Sequence, residues 1–282
     1  MKKYIVKENT ILFEFLKSNL SNLSKNSIKN LLHNNLVYVN DKCITKYDYL
    51  LKLNDRVVIK KSNDIDIIYE DKNIIVINKP CGLLTISTDK EKVKTLYHLV
   101  YEYVKKINKN NKIFIVHRLD KDTSGIVMFA KSEKIKNMYQ DNWNEIVKER
   151  RYYAIINGKM NKKEGTIKSY LKENNNHIVY SVKNKNEGKL AITDYKVLKE
   201  NHNQSLLDIN IKTGRKNQIR VHMRENNTPI LGDSKYGIKE KSTKRMYLHA
   251  YKLELMDPIT KKIIIFETGI PNEFNILYKD LN

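Results

Sequence analysis

Along most of this chain the apolar positions come in short runs closed by turn residues, and only a few stretches repeat at helical spacing. Near the N-terminus, Leu12, Phe13 and Leu16 fall on one helical face. After Ser24, an N-cap residue, Ile28, Leu31 and Leu32 repeat the three-four spacing. The segment LVYVN then alternates as a strand, Asn40-Asp41-Lys42 turns the chain, and Val57 to Ile59 follow the turn Asn54-Asp55 as a second short strand. Two short helices and a hairpin are therefore expected over residues 11–60, with residues 61–70, free of Gly and Pro, as a short connector.

From residue 65 onward strands dominate: IDIIY, NIIVINK, KIFIV, GIVMFA, RYYAIIN, TIKSYL, HIVYSV, SLLDINIK, MYLHAYKLEL and KIIIFE. Helices are fewer. Residues 95–107 place Leu96, Leu99, Val100, Tyr103, Val104 and Ile107 on one face, and residues 132–149 do the same with Ile135, Met138, Tyr139, Trp143, Ile146 and Val147. Residues 172–176 and 183–188 are polar and read as loops. Many consecutive strands with few helices predict an α+β protein: a small N-terminal αβ domain, 1–62, and a mainly antiparallel mixed-sheet domain, 63–282. Within the second, HRLDKDTSGIVMFAK (117–131) reads as two strands meeting at a tight corner punctuated by Thr123-Ser124-Gly125. A corner alone does not explain why Arg118, Asp120, Lys121 and Asp122 crowd onto it.

Composition narrows the partners. Lys and Arg number 53 against 32 Asp and Glu, a net charge of +21 that favours a polyanion, RNA or DNA, over other ligands. A membrane surface fits less well, since no apolar run approaches ~20 residues, and MKKYIVKENTILFEFL lacks the apolar core of a signal peptide. The 2 cysteines, Cys43 and Cys81, form no disulfide framework or zinc spacing, which suits a reducing cytoplasm. Scattered histidines and the lack of a Gly-rich phosphate loop imply no metal and no cofactor. Catalysis is expected to use side chains alone.

Several segments carry a family resemblance. HRLDKDTSG resembles the H-R-L-D-x-x-T-S-G signature of the RluA-type pseudouridine synthases. RRYYAIING (150–158) resembles their K-x-Y-x-A-x-x-x-G segment, TGRKNQIRVH (213–222) their T-G-R-x-H-Q-I-R-x-H, and NKPCGLLT (78–85) their K-P-x-G. PILGDSKYG (229–237) and MYLHAYKLEL (246–255) resemble G-D-x-x-Y-G and L-H-A-x-x-L. The segments occur in family order from about residue 65 to the C-terminus. Three departures stand out: Asn217 where the family usually has His, Arg151 beside Arg150, and Ile86-Ser87-Thr88 where a proline is common. They are expected to alter RNA contacts and to leave the carboxylate untouched. Upstream, SIKNLLHNNLVYVNDKCI and LLKLNDRVVI resemble the S-four RNA-binding module first described in a small-subunit ribosomal protein, dotted here with Lys17, Lys25, Lys29, Lys42 and Lys46.

The resemblance implies an RNA pseudouridine synthase. Turning uridine into pseudouridine breaks the bond from sugar to base nitrogen, rotates the uracil and rejoins it through a ring carbon, with no redox step. A carboxylate can hold one fragment covalently while the other turns. By resemblance Asp120 is that nucleophile, Arg220 pairs with it, and Tyr152 stacks on the flipped uracil and assists proton loss. A guanidinium beside a buried carboxylate favours its charged form. Arg118 enters the gap left by the base, Leu248 floors the pocket, and Lys79 and Arg215 contact the RNA backbone, while His117 and Asp122 brace the loop. The implied partner is RNA, ribosomal RNA ahead of transfer RNA, the protein acting as a monomer. Two rivals remain at this stage: a non-catalytic ribosome-associated RNA-binding protein, and a glycosylase, for which no motif places a second carboxylate.

Overall fold

The computed structural model describes residues 2–274 apart from 22, 34, 35, 41, 60–64, 90, 238–242 and 244, and of 30, 33 and 43 only the backbone. Asp41 of the expected hairpin turn and the first part of the connector at 61–70 lie outside the described residues. The chain divides into two units, Met1–Asp64 and Ile65–Asn282, two residues beyond the boundary expected from the sequence.

The N-terminal unit contains β1 (Lys2–Ile5), β2 (Thr10–Ile11), α1 (Leu12–Asn19), α2 (Lys25–His33), β3 (Val37–Val39), β4 (Lys42–Cys43), β5 (Leu50–Leu51) and β6 (Arg56–Ile59). Ser24 Oγ accepts the Ser27 N–H at 3.1 Å, so the predicted cap starts α2. Leu12, Leu16, Ile28 and Leu32 bury against Val37, Val39 and Val57, and the sheet runs β1-β6-β3-β4. β1 was not expected. Its Lys2-Lys3-Tyr4-Ile5 does not alternate, and it is too short and too exposed to stand out from a polar terminus.

The larger unit opens with β7 (Ile67–Glu70), β8 (Ile74–Lys79), α3 (Leu96–Ile107), β9 (Phe114–Ile115) and β10 (Ser124–Ala130). Next come α4 (Glu133–Asp141), α5 (Trp143–Ile146), β11 (Val147–Asn157), β12 (Glu164–Glu173), β13 (Val179–Val182), β14 (Lys189–Glu200) and β15 (Gln204–Ile211). α6 (Gln218–Glu225), β16 (Leu248–Met256) and β17 (Ile263–Glu267) complete it. Among the described residues the sheet is 11-stranded, in the order β13-β12-β14-β15-β11-β16-β10-β8-β7, with β17 beside β16 and β9 beside β10. Its pairs are antiparallel except for β10 with β16.

β10 is buried along its whole length because both faces are covered. Ile126, Met128 and Ala130 pack with Tyr139 of α4 and Ile146 of α5, while Val127 and Phe129 pack with Leu96, Val100 and Val104 of α3. The helix expected over 132–149 is in fact α4 and α5, and Val147 already belongs to β11. Asn142 bends the chain at φ −104° and ψ 11°, yet Tyr139 and Ile146 bury in the same cluster, so the apolar spacing reads through the break. Opposed residues in antiparallel pairs share a face, which puts Tyr152, Ala154, Ile209, Leu248 and Ala250 on the face where α6 packs through Ile219 and Met223.

Candidate active site

The approach to Asp120 differs from the tight corner expected. Ile115 of β9 pairs with Phe129, far along β10, so residues 116–123 form a loop between the strands. That loop rests on the turn after β8. Thr85 Oγ1 donates to the Leu119 carbonyl at 2.7 Å and accepts the Leu119 N–H at 3.2 Å. Cys81 Sγ donates to the Asp122 carbonyl at 2.9 Å, and the Gly82 N–H to the Lys121 carbonyl at 3.0 Å. Lys79 completes the underpinning, donating to the carbonyls of Pro80 (3.0 Å), Leu83 (2.7 Å) and Lys121 (2.9 Å). The expected RNA-backbone contact of Lys79 is thus corrected: the side chain is buried, and its three protons are spent on the protein's own carbonyls. Burial pushes its pKa down to about 8.

Leu119 buries and Asp120 is left half-buried at the loop's inner edge. Arg220 on α6 reaches it from across the sheet face, Nη1 lying 3.2 Å from Asp120 Oδ2. The same guanidinium grips a second carboxylate in a two-pronged pair, Nε to Asp233 Oδ2 at 2.7 Å and Nη2 to Asp233 Oδ1 at 2.8 Å. Asp233 is 1% exposed and also accepts the backbone N–H groups of Lys235 and Tyr236. Burial works against the charge of Arg220, but the hydrogen bonds and charges of Asp233 and Asp120 outweigh it and raise its pKa. Burial likewise opposes the Asp233 carboxylate, and Arg220 with the two N–H groups holds it below the usual range.

Asn217 stands in the left-handed region at φ 55°, which Asn tolerates better than most residues. Its Oδ1 accepts from Arg220 Nη1 at 3.2 Å and its Nδ2 donates to Tyr236 Oη at 3.1 Å. The sequence departure at Asn217 therefore bears on the guanidinium beside Asp120, more directly than the expected effect on RNA contacts alone. Arg151, the second departure, lies apart from all this, tied to Glu149 and Asp208.

Tyr152 faces Ile209 on one neighbouring strand and Ala250 on the other. Burial pushes its phenol up to about 12, opposed by the charge of Arg150 and reinforced by that of Asp120. At neutral pH the group is a protonated phenol, suited to stack on a ring or donate a hydrogen bond.

Residues 73–225 match the family described as RNA pseudouridylate synthase. An uncharacterized RNA pseudouridine synthase of Mycoplasma pneumoniae is 33% identical over 282 residues, covering 93% of this chain and 90% of the relative. The chain belongs to the RNA pseudouridine synthases. Ribosomal large subunit pseudouridine synthase D of Borreliella burgdorferi is 34% identical over 266 residues, 87% of this chain and 81% of that one. Human RNA pseudouridylate synthase domain containing 4 shares the fold, with a TM-score of 0.64 at 23% identity over 77% of this chain and 92% of its own.

As a member of that family the protein is an isomerase acting on RNA. The remaining residues expected at the candidate site divide by exposure. Leu248 is buried opposite Ala154, on the face that carries Tyr152. Arg118 is exposed two residues before Asp120. Arg215 is exposed ahead of α6, its Nε donating to the Leu190 carbonyl at 2.8 Å. His117 accepts the Met128 N–H at 3.2 Å and packs on Trp143 with ring centroids 5.1 Å apart. Burial, helped by Arg150, lowers its pKa to about 3, so it is neutral. The segments NKPCGLLT and PILGDSKYG contain Thr85, Asp233 and Tyr236, but the sequence assigns none of the three a role. Only the tertiary structure brings Asp233 to Arg220 and Thr85 to Leu119. Among the described residues no helix is long and apolar enough to cross a membrane.

Proposed function

We propose that this synthase converts a uridine of large-subunit ribosomal RNA to pseudouridine, with Asp120 as nucleophile. The observation that carries the reading is the Asp120–Arg220–Asp233 chain: one guanidinium, locked by a buried carboxylate, presents its remaining edge to a carboxylate open to a substrate. Asp120 holds the sugar through a bond to C1′ that forms as the bond from C1′ to N1 breaks, and that is itself broken as the bond from C1′ to C5 forms. The C5 proton leaves, N1 gains one, and no electrons are exchanged with any other group. Tyr152 stacks on the uracil over a floor that includes Leu248, and Arg118 fills the gap in the RNA, offsetting part of an unstacking cost of roughly a few kcal/mol. Arg215 contacts the RNA backbone.

The ribosomal target is supported by relatives named as ribosomal large subunit synthases C and D, and by the N-terminal unit, which we read as an S-four-like RNA-binding domain. The protein is taken to act as a cytoplasmic monomer. Asp120→Asn is nearly isosteric and caps a loop as well as Asp does, so it should bind RNA with near-wild-type affinity and form no detectable pseudouridine. Asp122→Asn, which keeps its backbone carbonyl, should stay active. Tritium release from uracil-labelled transcript, beside a binding titration, tests both. Release by a folded Asp120→Asn protein above a few per cent of the normal rate would refute the assignment.

A further inference from the structure

We infer that Arg150 is a substrate contact of this synthase and takes a phosphodiester oxygen next to the target uridine. The inference rests on the RNA reading of the Asp120 site. Arg150 lies two residues before Tyr152 on β11. Among the described residues its side chain donates to one protein acceptor, Nη2 to the Lys212 carbonyl at 3.1 Å. Its Nε is buried and, among the described residues, has no hydrogen-bond partner. No carboxylate among the described residues pairs with it, in contrast to the adjacent Arg151, which holds Glu149 through two nitrogens at 3.0 Å and Asp208 at 2.6 Å.

The surroundings add positive charge instead of cancelling it. Arg215 lies within electrostatic reach: burial lowers the Arg150 pKa, Tyr152 works against it, and Arg215 lowers it further. The guanidinium is also close enough to Tyr152 to pull the phenol's pKa down against burial. Space has been kept for it, because a Cβ at Gly214 would stand 2.7 Å from Nη1. A half-buried guanidinium with donors to spare, beside a second arginine and the residue read as the uracil stack, calls for an anion. Uracil is neutral and the sugar is neutral, so the anion that an RNA substrate brings to this place is a phosphate. Arginine suits it, since its planar fork can give two donors to one phosphate.

The test pairs a protein change with a change in the RNA. Binding is titrated with an RNA that the wild-type protein modifies, and with the same RNA carrying a neutral methylphosphonate linkage either 5′ or 3′ of the target uridine. For wild type, one of the two neutral linkages should weaken binding by about tenfold or more, the scale of a charged hydrogen bond. Arg150→Gln should weaken binding to unmodified RNA by a similar factor and lose nothing further on that linkage, because both changes remove one interaction. Gly214→Ala keeps the charge but displaces the guanidinium, and should show a smaller loss that vanishes on the same linkage. If the losses multiply at both linkages for either variant, Arg150 acts on the protein alone and the assignment is overturned. A wild-type protein that neither binds nor modifies uridine-containing RNA would instead overturn the reading of the site itself.

Discussion

Arg220 ties the two carboxylates of the candidate site together, contacting both Asp120 and Asp233. Its two-pronged partner Asp233 is 1% exposed, so truncating the arginine leaves a buried carboxylate without its cation. Arg220→Met alone should cost about 3–5 kcal/mol of stability, the usual penalty for breaking a buried pair from one side. Adding Asp233→Leu should return much of that stability and none of the turnover, because Asp120 still lacks its guanidinium. Urea unfolding and tritium release on the single and double variants separate the two effects. A double variant that regains activity would show that the Asp120 contact is dispensable. The same pair explains the position of Asn217, whose left-handed backbone lets its amide bridge Arg220 and Tyr236.

Among the elements, the loop at 116–123 and the turn at 80–85 behave as one piece. Thr85 both donates to and accepts from Leu119, one residue before the carboxylate. Thr85→Val keeps the shape and leaves the Leu119 N–H and carbonyl unpaired in a buried place, at about 1–3 kcal/mol per group. Turnover should fall at least tenfold while RNA affinity stays within about twofold, since a misplaced nucleophile costs rate before binding. Single-turnover rates set beside a binding titration check this, and an unchanged rate would mean the turn does not position Asp120. At the other end of the loop, Gly125 lets β10 approach β16, for a Cβ there would sit 2.1 Å from the Ala250 carbonyl oxygen and its φ is +115°. The T-S-G signature is thus a close-approach device for the one parallel strand pair named above, and not a hairpin turn.

For the whole molecule, buried histidines make stability depend on acid. His222 lies between Thr193 and Ser169, and His249 between Ser124 and Thr268. Burial lowers their pKa values to about 4 and about 3. The unfolded chain takes these protons near pH 6.5 and the folded chain does not, so stability held above that pH is lost as pH falls toward 4. Between pH 7.5 and 5.5 each should cost about 1.4 kcal/mol, and His249→Gln should flatten the dependence seen in denaturant unfolding. An identical pH slope in the variant would contradict a neutral buried His249. The other whole-molecule property is the charge of +21. Deleting residues 1–64 should weaken RNA binding and flatten its salt dependence by ~0.7 per lost phosphate contact on single strands. An unchanged slope would mean that the N-terminal unit is not an RNA module.

Much of the fold was legible because its signals are local. The apolar runs NIIVINK and GIVMFA mark strands covered on both faces, and Leu96, Val100 and Val104 mark the inward stripe of α3. β14 escaped notice because its residues alternate between a core side and a charged side carrying Asp194, Lys196 and Lys199, which dilutes the apolar signal. The break between α4 and α5 escaped because both bury into one cluster. The resemblance of its ordered motifs to a known family marked Asp120, Tyr152 and Arg220 as candidates, since such motifs are legible in the chain itself. What the chain alone could not decide was which lysine is spent inside the protein, which carboxylate orients Arg220, and which arginine is left with donors to give. Those answers depend on contacts between residues 42 apart for Lys79 and Lys121 and 13 apart for Arg220 and Asp233. Burial and pairing of charge are set by what the fold brings near, so only the tertiary structure could assign them.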